Sequence, residues 1–407
     1  MTRFASAMPS FPWDRSEERD NRWHQDLQLL ARELRYNCKP LEDKHKQRAF
    51  LHHLDDLDKT VNSRTDEQML VGIMQSLAVI RDAHTKPAIE SFLLPFYPMI
   101  LYWFKEGLYV IRAGEQCPEV LGARLLKVGQ TPADQVLQFL KTLLGHENPW
   151  IFKALAPYLI ISAKILEGSG FVNQPAQASF EFLTTDGGHR RLTLTAGTKM
   201  GKSSFFSDRL LRWSNPEKDY WFQLLPDHRA IYFCYRQCQE MPDFPFAEFH
   251  RQLLGAIRSN GCERLIIDLR DNGGGNSALL EPLITALHKE NFPNGALPVF
   301  ALIGGGTMSS AAMNAIDLKG RVAAVLVGEP AGTNPNHYGE LKELELPNFR
   351  LRIQYSTNYF HPWPDSVGRS LDPQIRVTET WKDFHAEKDA ALTAALQAPL
   401  PQIIRLD

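Results

Sequence analysis

The first 95 residues follow a helical period of apolar positions. Two apolar stripes at helical spacing come first: Trp23, Leu27, Leu30 and Leu34, then Phe50, Leu54, Leu57 and Val61. A third begins at a capping box, Thr65 to Gln68, and continues with Met69, Ile73, Leu77 and Ile80. Three such stripes can bury one another, so the pattern predicts a small helical bundle over residues 1–95, ending in the turn that carries His84.

The pattern changes in residues 96–150, where strand-like segments alternate with one helix. Residues 108–110 and 123–128 favour strands. Thr131 and Pro132 are typical of the start of a helix, as N-cap and first helical residue. The segment predicts a small linking module that is too short to hold a catalytic core.

From residue 151 to 407 the chain reads as α/β. A hairpin is predicted around Asp186, Gly187 and Gly188. Short apolar strands then precede glycine-rich turns that each open a helix, at Gly273–Gly275 and again at Gly304–Gly306. Repeated strand, turn and helix units predict stacked layers whose turns meet at one edge.

The two glycine-rich turns are candidates for ligand chemistry, because such turns expose backbone N–H groups beside a helix start. Neither turn matches a phosphate-binding P-loop or a dinucleotide-binding fingerprint. A developing oxyanion is the other suitable ligand, and two tight turns with no ligand are the plain alternative. Ser309 and Ser310 lie where the second turn becomes a helix, so each is either a helix cap or a nucleophile.

A serine nucleophile needs a base, and two histidines in predicted turns are candidates. His84 follows the helical bundle in the segment Asp82-Ala83-His84-Thr85. His337 lies in a later turn that precedes Gly339 and Glu340. Each is equally compatible with a solvated histidine that has no catalytic role.

Composition argues against several classes of protein but does not identify a function. A formal net charge of −2 gives no global field that attracts nucleic acid. Five cysteines without metal-site spacing predict buried or free thiols. No apolar stretch is long enough for a membrane span. The N-terminus lacks the apolar region of a signal peptide, which leaves a cytosolic protein or one whose signal has been removed.

Three segments together resemble the S41 peptidases, the tail-specific or C-terminal-processing protease family. They are ERLIIDLRDNGGGNSALL (263–280), GGGTMSSAAMNAIDLKG (304–320) and AAVLVGEPAGTNPNHYGE (323–340). Upstream, MQSLAVIRDAHTKP (74–87) is similar to the family's D-[GA]-H-T motif. The motifs occur in the family's order and spacing, which is more specific than any one of them.

The resemblance implies a role for several residues. A match to T-[FM]-S-[AS]-A makes Ser309 the nucleophile, with Ser310 the alternative one register away. The backbone N–H groups of Ser310 and Gly274 would form the oxyanion hole. The family also implies a ClpP/crotonase-like core over 151–407 and a PDZ-like, or degenerate, module over 96–150.

One departure from the family pattern bears on the base. Many bacterial members use a serine–lysine pair, and Asn334 stands at the lysine position. The chain therefore resembles the tricorn-core branch, in which a histidine of the upstream motif acts, and His84 matches it. Ala83 replaces the polar residue that precedes this histidine in that branch. A downstream carboxylate is also implied, with Asp365 the best match and Glu340 the alternative.

The expectation is thus a mixed α/β protein that hydrolyses peptide bonds through an acyl-enzyme. Its partners would be peptide or protein substrates rather than nucleic acid, and the resemblance implies no metal or organic cofactor. Two other interpretations stay open: a non-catalytic binding protein on the same scaffold and a crotonase-like acyl-CoA enzyme. Substrate sequence and oligomeric state cannot be inferred from the residues.

Overall fold

A computed structural model describes residues 16–206, 210–289, 297–363, 366 and 368–400. The architecture mixes helices with three separate sheets. The mixed class predicted from the sequence is confirmed. Asp365 lies outside the described residues.

The N-terminal part is helical, as the apolar stripes predict. Its elements are α1 (Glu17–Asn37), α2 (Lys44–Asp58), α3 (Asp66–Ala78), β1 (Lys86–Pro87) and α4 (Ile89–Leu93). All twelve predicted stripe positions are buried. The capping box at the start of α3 is present, since Thr65 and Gln68 each accept from the other's backbone N–H.

The second part contains the largest sheet, with helices between its strands. Its elements are β2 (Met99–Phe104), β3 (Gly107–Gly114), β4 (Arg124–Val128), β5 (Thr131–Pro132), α5 (Ala133–Leu140), α6 (Pro149–Leu159), α7 (Ala163–Gly168), β6 (Gln177–Leu183), β7 (His189–Thr195) and β8 (Ser203–Phe205). The sheet runs in the order β2-β3-β4-β6-β7, with β5 on β4 and β8 on β3. The predicted hairpin is β6–β7, which closes through Thr184 and Gly188. Because this sheet draws strands from both sides of position 150, it crosses the domain boundary predicted there.

The third part holds the parallel core. Its elements are β9 (Tyr220–Leu225), β10 (Ala230–Tyr235), α8 (Phe246–Ser259), β11 (Arg264–Asp268), α9 (Glu281–Lys289), β12 (Val299–Ile303), α10 (Ser310–Val322), β13 (Val325–Gly328), β14 (His337–Glu345), β15 (Arg352–Phe360), β16 (Ile375–Arg376), α11 (Trp381–His385) and α12 (Ala390–Gln397). A six-stranded sheet runs β16-β13-β12-β11-β10-β9, parallel except for β9 against β10.

Short 3-10 helices connect several of these elements. They span Lys39–Glu42, Val61–Ser63, Pro118–Val120, Lys141–Leu143, Leu211–Trp213, Pro226–His228 and Ser277–Leu280. The five cysteines are buried and unpaired, as predicted. Among the described residues, no helix has the length and apolar character needed to cross a bilayer.

A small antiparallel sheet joins the segment after the helical bundle to a hairpin in the third part of the chain. Strand β1, which directly follows the His84 turn, pairs with β15, and β15 pairs with β14. Lys86 lies opposite Gln354, and the Ala88 N–H donates to the Arg352 carbonyl at 2.8 Å. This pairing brings the N-terminal motif against the C-terminal hairpin whose first residue is His337.

Candidate active site

Ser309 lies between β12 and α10 in a backbone conformation that L-residues rarely adopt. Its φ of 51° and ψ of −124° place it at the N-cap of α10. The Ser309 N–H donates to Thr333 Oγ1 at 2.9 Å. On the other side of the turn, Thr307 Oγ1 donates to the Leu269 carbonyl at 2.8 Å. Strain of this kind persists only where the surroundings fix it, and it concentrates at functional sites.

The two glycine-rich turns meet at Ser309. Gly274 has a φ of 101°, and a Cβ added there would lie 2.8 Å from Ser309 Cβ and 3.2 Å from the Ser310 nitrogen. Both the conformation and the space therefore require glycine at this position. The Ser310 side chain ties the turns together, because its Oγ donates to the Gly275 carbonyl at 2.6 Å. The two turns therefore meet at one edge of the sheet, as the sequence predicts.

The two predicted oxyanion donors differ in their present partners. Ser310 is the first residue of α10, so its N–H has no acceptor within the helix. The Gly274 N–H donates to Asn272 Oδ1 at 2.9 Å. An oxyanion at Ser309 would meet the Ser310 group without rearrangement, whereas the Gly274 group would first have to leave Asn272.

His84 is held in its turn by Asp82. The side chain of Asp82 has no solvent exposure, and its Oδ1 accepts from the His84 backbone N–H at 3.1 Å and lies 3.6 Å from His84 Nδ1. Its Oδ2 accepts from Thr85 Oγ1. Burial alone would raise the pKa of Asp82, but the hydrogen bonds and charge of His84, with the Thr85 bond, outweigh it and hold the pKa at about 2. Asp82 is therefore an anion beside the imidazole at neutral pH.

The ring of His337 stacks on that of His84, with centroids 5.8 Å apart and planes inclined by 20°. His337 Nδ1 lies 3.0 Å from the Asn334 carbonyl and 3.2 Å from the Pro335 carbonyl. Carbonyls only accept, so Nδ1 carries the proton and a neutral ring leaves Nε2 as an acceptor. Burial lowers the pKa of His337 to about 4, and the charge of His84 acts in the same direction.

The segment between Gly332 and His337 connects the serine to the histidines. Thr333 holds the Ser309 N–H at one end, and the Asn334 carbonyl holds His337 at the other. Asn148 fixes the middle, because its Nδ2 donates to Asn334 Oδ1 at 2.8 Å and to the Gly332 carbonyl at 3.1 Å. At the position of the family's lysine, this chain therefore has a buried amide in a structural hydrogen bond.

Of the two predicted downstream carboxylates, only Glu340 can be compared with the histidines. Glu340 is exposed on β14, and within the described residues its carboxylate has no hydrogen bond or ion pair with His84 or His337. Asp365 cannot be compared, since it is not among the described residues. The carboxylates at His84 are instead Asp82 and Glu147, which the sequence interpretation did not assign.

Glu147 comes from the loop before α6. Its Oε1 accepts weakly from the Ala83 N–H at 3.4 Å, and its pKa is raised by burial and by the charge of Asp82. Asp82 could have been found, since it stands two residues before His84 in the motif. Glu147 lies far from the motif in sequence, and no sequence pattern points to it.

Solved structures share this arrangement of elements over nearly the whole chain. The structure of mature CPAF complexed with lactacystin matches at a TM-score of 0.66 and 13% identity, over 93% of this chain and 97% of that chain. The crystal structure of mature CPAF matches at a TM-score of 0.65 and 13% identity, over 93% of this chain and 96% of that chain. The crystal structure of the tricorn protease matches at a TM-score of 0.48 and 12% identity, over 93% of this chain and 36% of that chain.

The two CPAF structures are those of an S41-family peptidase, so the chain has the fold of that family. The resemblance inferred from the motifs is thereby confirmed at the level of the fold. No protein-family model matches the sequence, and no curated protein matches it.

Proposed function

We propose that the chain is a serine peptidase in which Ser309 is the nucleophile and His84 the general base. The observation that carries the proposal is the junction of the two glycine-rich turns at a strained serine. Ser309 is partly exposed, so its hydroxyl is open to a substrate, while its backbone is fixed by Thr333 and by the contact with Gly274. Fixing a nucleophile beside oxyanion donors lowers the barrier to acyl transfer.

In the proposed reaction, Ser309 Oγ attacks the scissile carbonyl and its proton passes to His84. The Ser310 N–H, at the positive end of α10, stabilises the oxyanion that develops. The Gly274 N–H adds a second bond once it turns from Asn272. His84 then gives the proton to the leaving amine, and a water molecule, activated by the same imidazole, releases the acyl group.

Asp82 supports His84 in this scheme. An anion 3.6 Å from Nδ1 favours the tautomer that carries its proton on Nδ1 and leaves Nε2 free to accept. It also stabilises the imidazolium that forms when the serine gives up its proton. His337 is the alternative base, because its Nε2 is an unprotonated acceptor in the neutral ring.

The two histidines are separated by a pH–rate profile of a peptide substrate, measured with a chelator present. A base must be neutral, so kcat/KM of the wild type should rise with pH as the catalytic imidazole loses its proton. His84→Ala should lose at least ~10²-fold at all pH values. His337→Ala should keep the rise. If His337→Ala is inactive and His84→Ala retains the full profile, the base is His337 and the assignment is wrong.

A further inference from the structure

Asp82, His84 and Glu147 present three metal-binding atoms that lie within 4.8 Å of one another. Across the described parts of the chain, no other three histidine, cysteine or acidic side chains are grouped in this way. His84 Nδ1 and Glu147 Oε2 are both buried without a hydrogen-bond partner among the described residues. Buried polar atoms rarely stay without a partner, so both atoms have capacity for a ligand.

We propose that these three side chains bind a divalent transition-metal ion of the zinc type. One imidazole and two carboxylates suit Zn²⁺, whereas Mg²⁺ and Ca²⁺ prefer oxygen ligands alone. In a tetrahedral zinc site, ligand atoms are about 3.3 Å apart. The pair His84 Nδ1 and Asp82 Oδ1, at 3.6 Å, is already close to that spacing. Glu147 would complete the set by a small movement of its side chain.

Access from solvent and the positive charge of Lys86 both affect whether a metal ion binds at this site. Glu147 lines a cleft of about 870 Å³, together with residues of α3 and of the loop before α6, so solvent reaches one of the three proposed ligands, whereas Asp82 and His84 do not line the cleft. The ammonium group of Lys86 is a cation that opposes metal binding at this site. Its Nζ donates to the Ala83 carbonyl at 2.8 Å, and its charge acts on both Asp82 and Glu147. Removal of that charge should therefore strengthen metal binding.

Metal binding at Nδ1 would switch off the base, a consequence that rests on the proposed function. A metal on Nδ1 leaves the neutral ring with its proton on Nε2. As a base, His84 needs the opposite tautomer, with the proton on Nδ1 and a free lone pair on Nε2. The ion would thus inhibit the peptidase reversibly, and it would do so without contact with Ser309.

The test is calorimetric titration of the metal-free full chain with ZnCl₂. One site is expected, and MgCl₂ should give no binding at the same concentrations. Glu147→Gln removes a ligand but keeps an acceptor for the Ala83 N–H, so it should weaken zinc binding at least ~10-fold. Lys86→Met should strengthen it several-fold. The matched control is Asp58→Asn, which alters a half-buried carboxylate 2.7 Å from His24 Nδ1 and should leave the affinity unchanged.

The site is refuted if the wild type binds no zinc, or if Glu147→Gln binds as tightly as the wild type. Inhibition is a separate measurement. Zinc should inhibit peptide hydrolysis by the wild type, and a chelator should restore it, whereas Glu147→Gln should need at least ~10-fold more zinc. Binding that depends on Glu147 but does not inhibit would leave the metal site standing and contradict the role of His84 as base.

Discussion

The imidazole rings of His84 and His337 stack, with their centroids 5.8 Å apart, although one residue follows the N-terminal bundle and the other begins β14. Pairing of β1 with β15 and of β15 with β14 produces this contact. The same hairpin is joined through residues 333–337 to Ser309. The candidate site is therefore assembled from segments that are more than 200 residues apart in the sequence.

The neutral, buried state of His337 predicts a dependence of stability on pH. Its pKa is about 4 in the fold and about 6.5 in the unfolded chain, so the unfolded state takes up the proton first as the pH falls. The free energy of unfolding should be fully retained above about pH 6.5 and decline toward pH 4, by at most about 3 kcal/mol from this group.

The contribution of His337 to the free energy of unfolding is measured by denaturant unfolding of the wild type and His337→Phe between pH 7 and pH 4, with a chelator present. The variant should show a shallower decline. His52→Asn, at an exposed histidine of α2, is the control and should follow the wild type. Equal slopes for the wild type and His337→Phe would mean that His337 does not titrate as described.

Alanine substitutions at Gly274 and Gly273 form a matched pair that tests the close contact between Gly274 and Ser309. Alanine at 274 would place a Cβ 2.8 Å from Ser309 Cβ at a φ of 101°, so Gly274→Ala should lower kcat/KM at least ~10²-fold. At Gly273 the nearest atom to an added Cβ is Gln237 Oε1 at 3.5 Å, an ordinary contact. Gly273→Ala should keep most of the activity, and equal losses in the two variants would argue against a specific role for Gly274.

Thr333 is predicted to position Ser309 through its hydroxyl. Thr333→Val keeps the shape but removes the acceptor of the Ser309 N–H, at a cost of about 1–3 kcal/mol. We expect kcat to fall about 10-fold or more with KM little changed, since the substrate contacts remain. Thr357→Val, which removes a surface hydroxyl on β15, is the control. A larger effect at Thr357, or an effect of Thr333→Val on KM alone, would contradict the positioning role.

Asn334→Lys tests whether the chain retains a latent serine–lysine site. The Asn334 side chain is buried and accepts from Asn148, so lysine would lose this bond and place a charge in its position. We predict no gain in turnover and a lower melting temperature. Asn334→Met, similar in length but uncharged, separates the effect of charge from that of size. A clear rise in turnover for the lysine variant alone would contradict the assignment of His84.

Much of the fold follows from the sequence, because its signals are local. Helical period and a capping box define α3, and a Gly-Gly turn between alternating strands defines β6–β7. The meeting of Gly274 with Ser309 also follows, since the turns after parallel strands share one edge. The contacts of His84 are not local. Asp82 lies in the same turn, but Glu147 and His337 arrive through loops whose course depends on long-range strand pairing.

Long-range strand pairing also accounts for two sequence predictions that differ from the structure, the domain boundary at residue 150 and the role of Glu340. The boundary at residue 150 is crossed because β6 pairs with β4 and β8 pairs with β3, and pairing between distant segments cannot be read from either segment alone. Glu340 was implied only by the family resemblance, as the alternative to Asp365, and it is exposed on β14 with a positive φ of 56°. Glu340 has no partner in the β14–β15 register, where Gly339 lies opposite Asn358 and Leu341 opposite Ser356, so the strand is irregular at this residue.

Covalent labelling by a fluorophosphonate, followed by peptide mapping, tests the central claim most directly. The account predicts a single adduct on Ser309 that is absent in Ser309→Ala and formed at least ~10²-fold more slowly in His84→Ala. Ser310→Ala keeps the backbone N–H and should still be labelled on Ser309. An adduct on Ser310, or a wild-type chain that is not labelled at all while correctly folded, would contradict the assignment of Ser309 as the nucleophile.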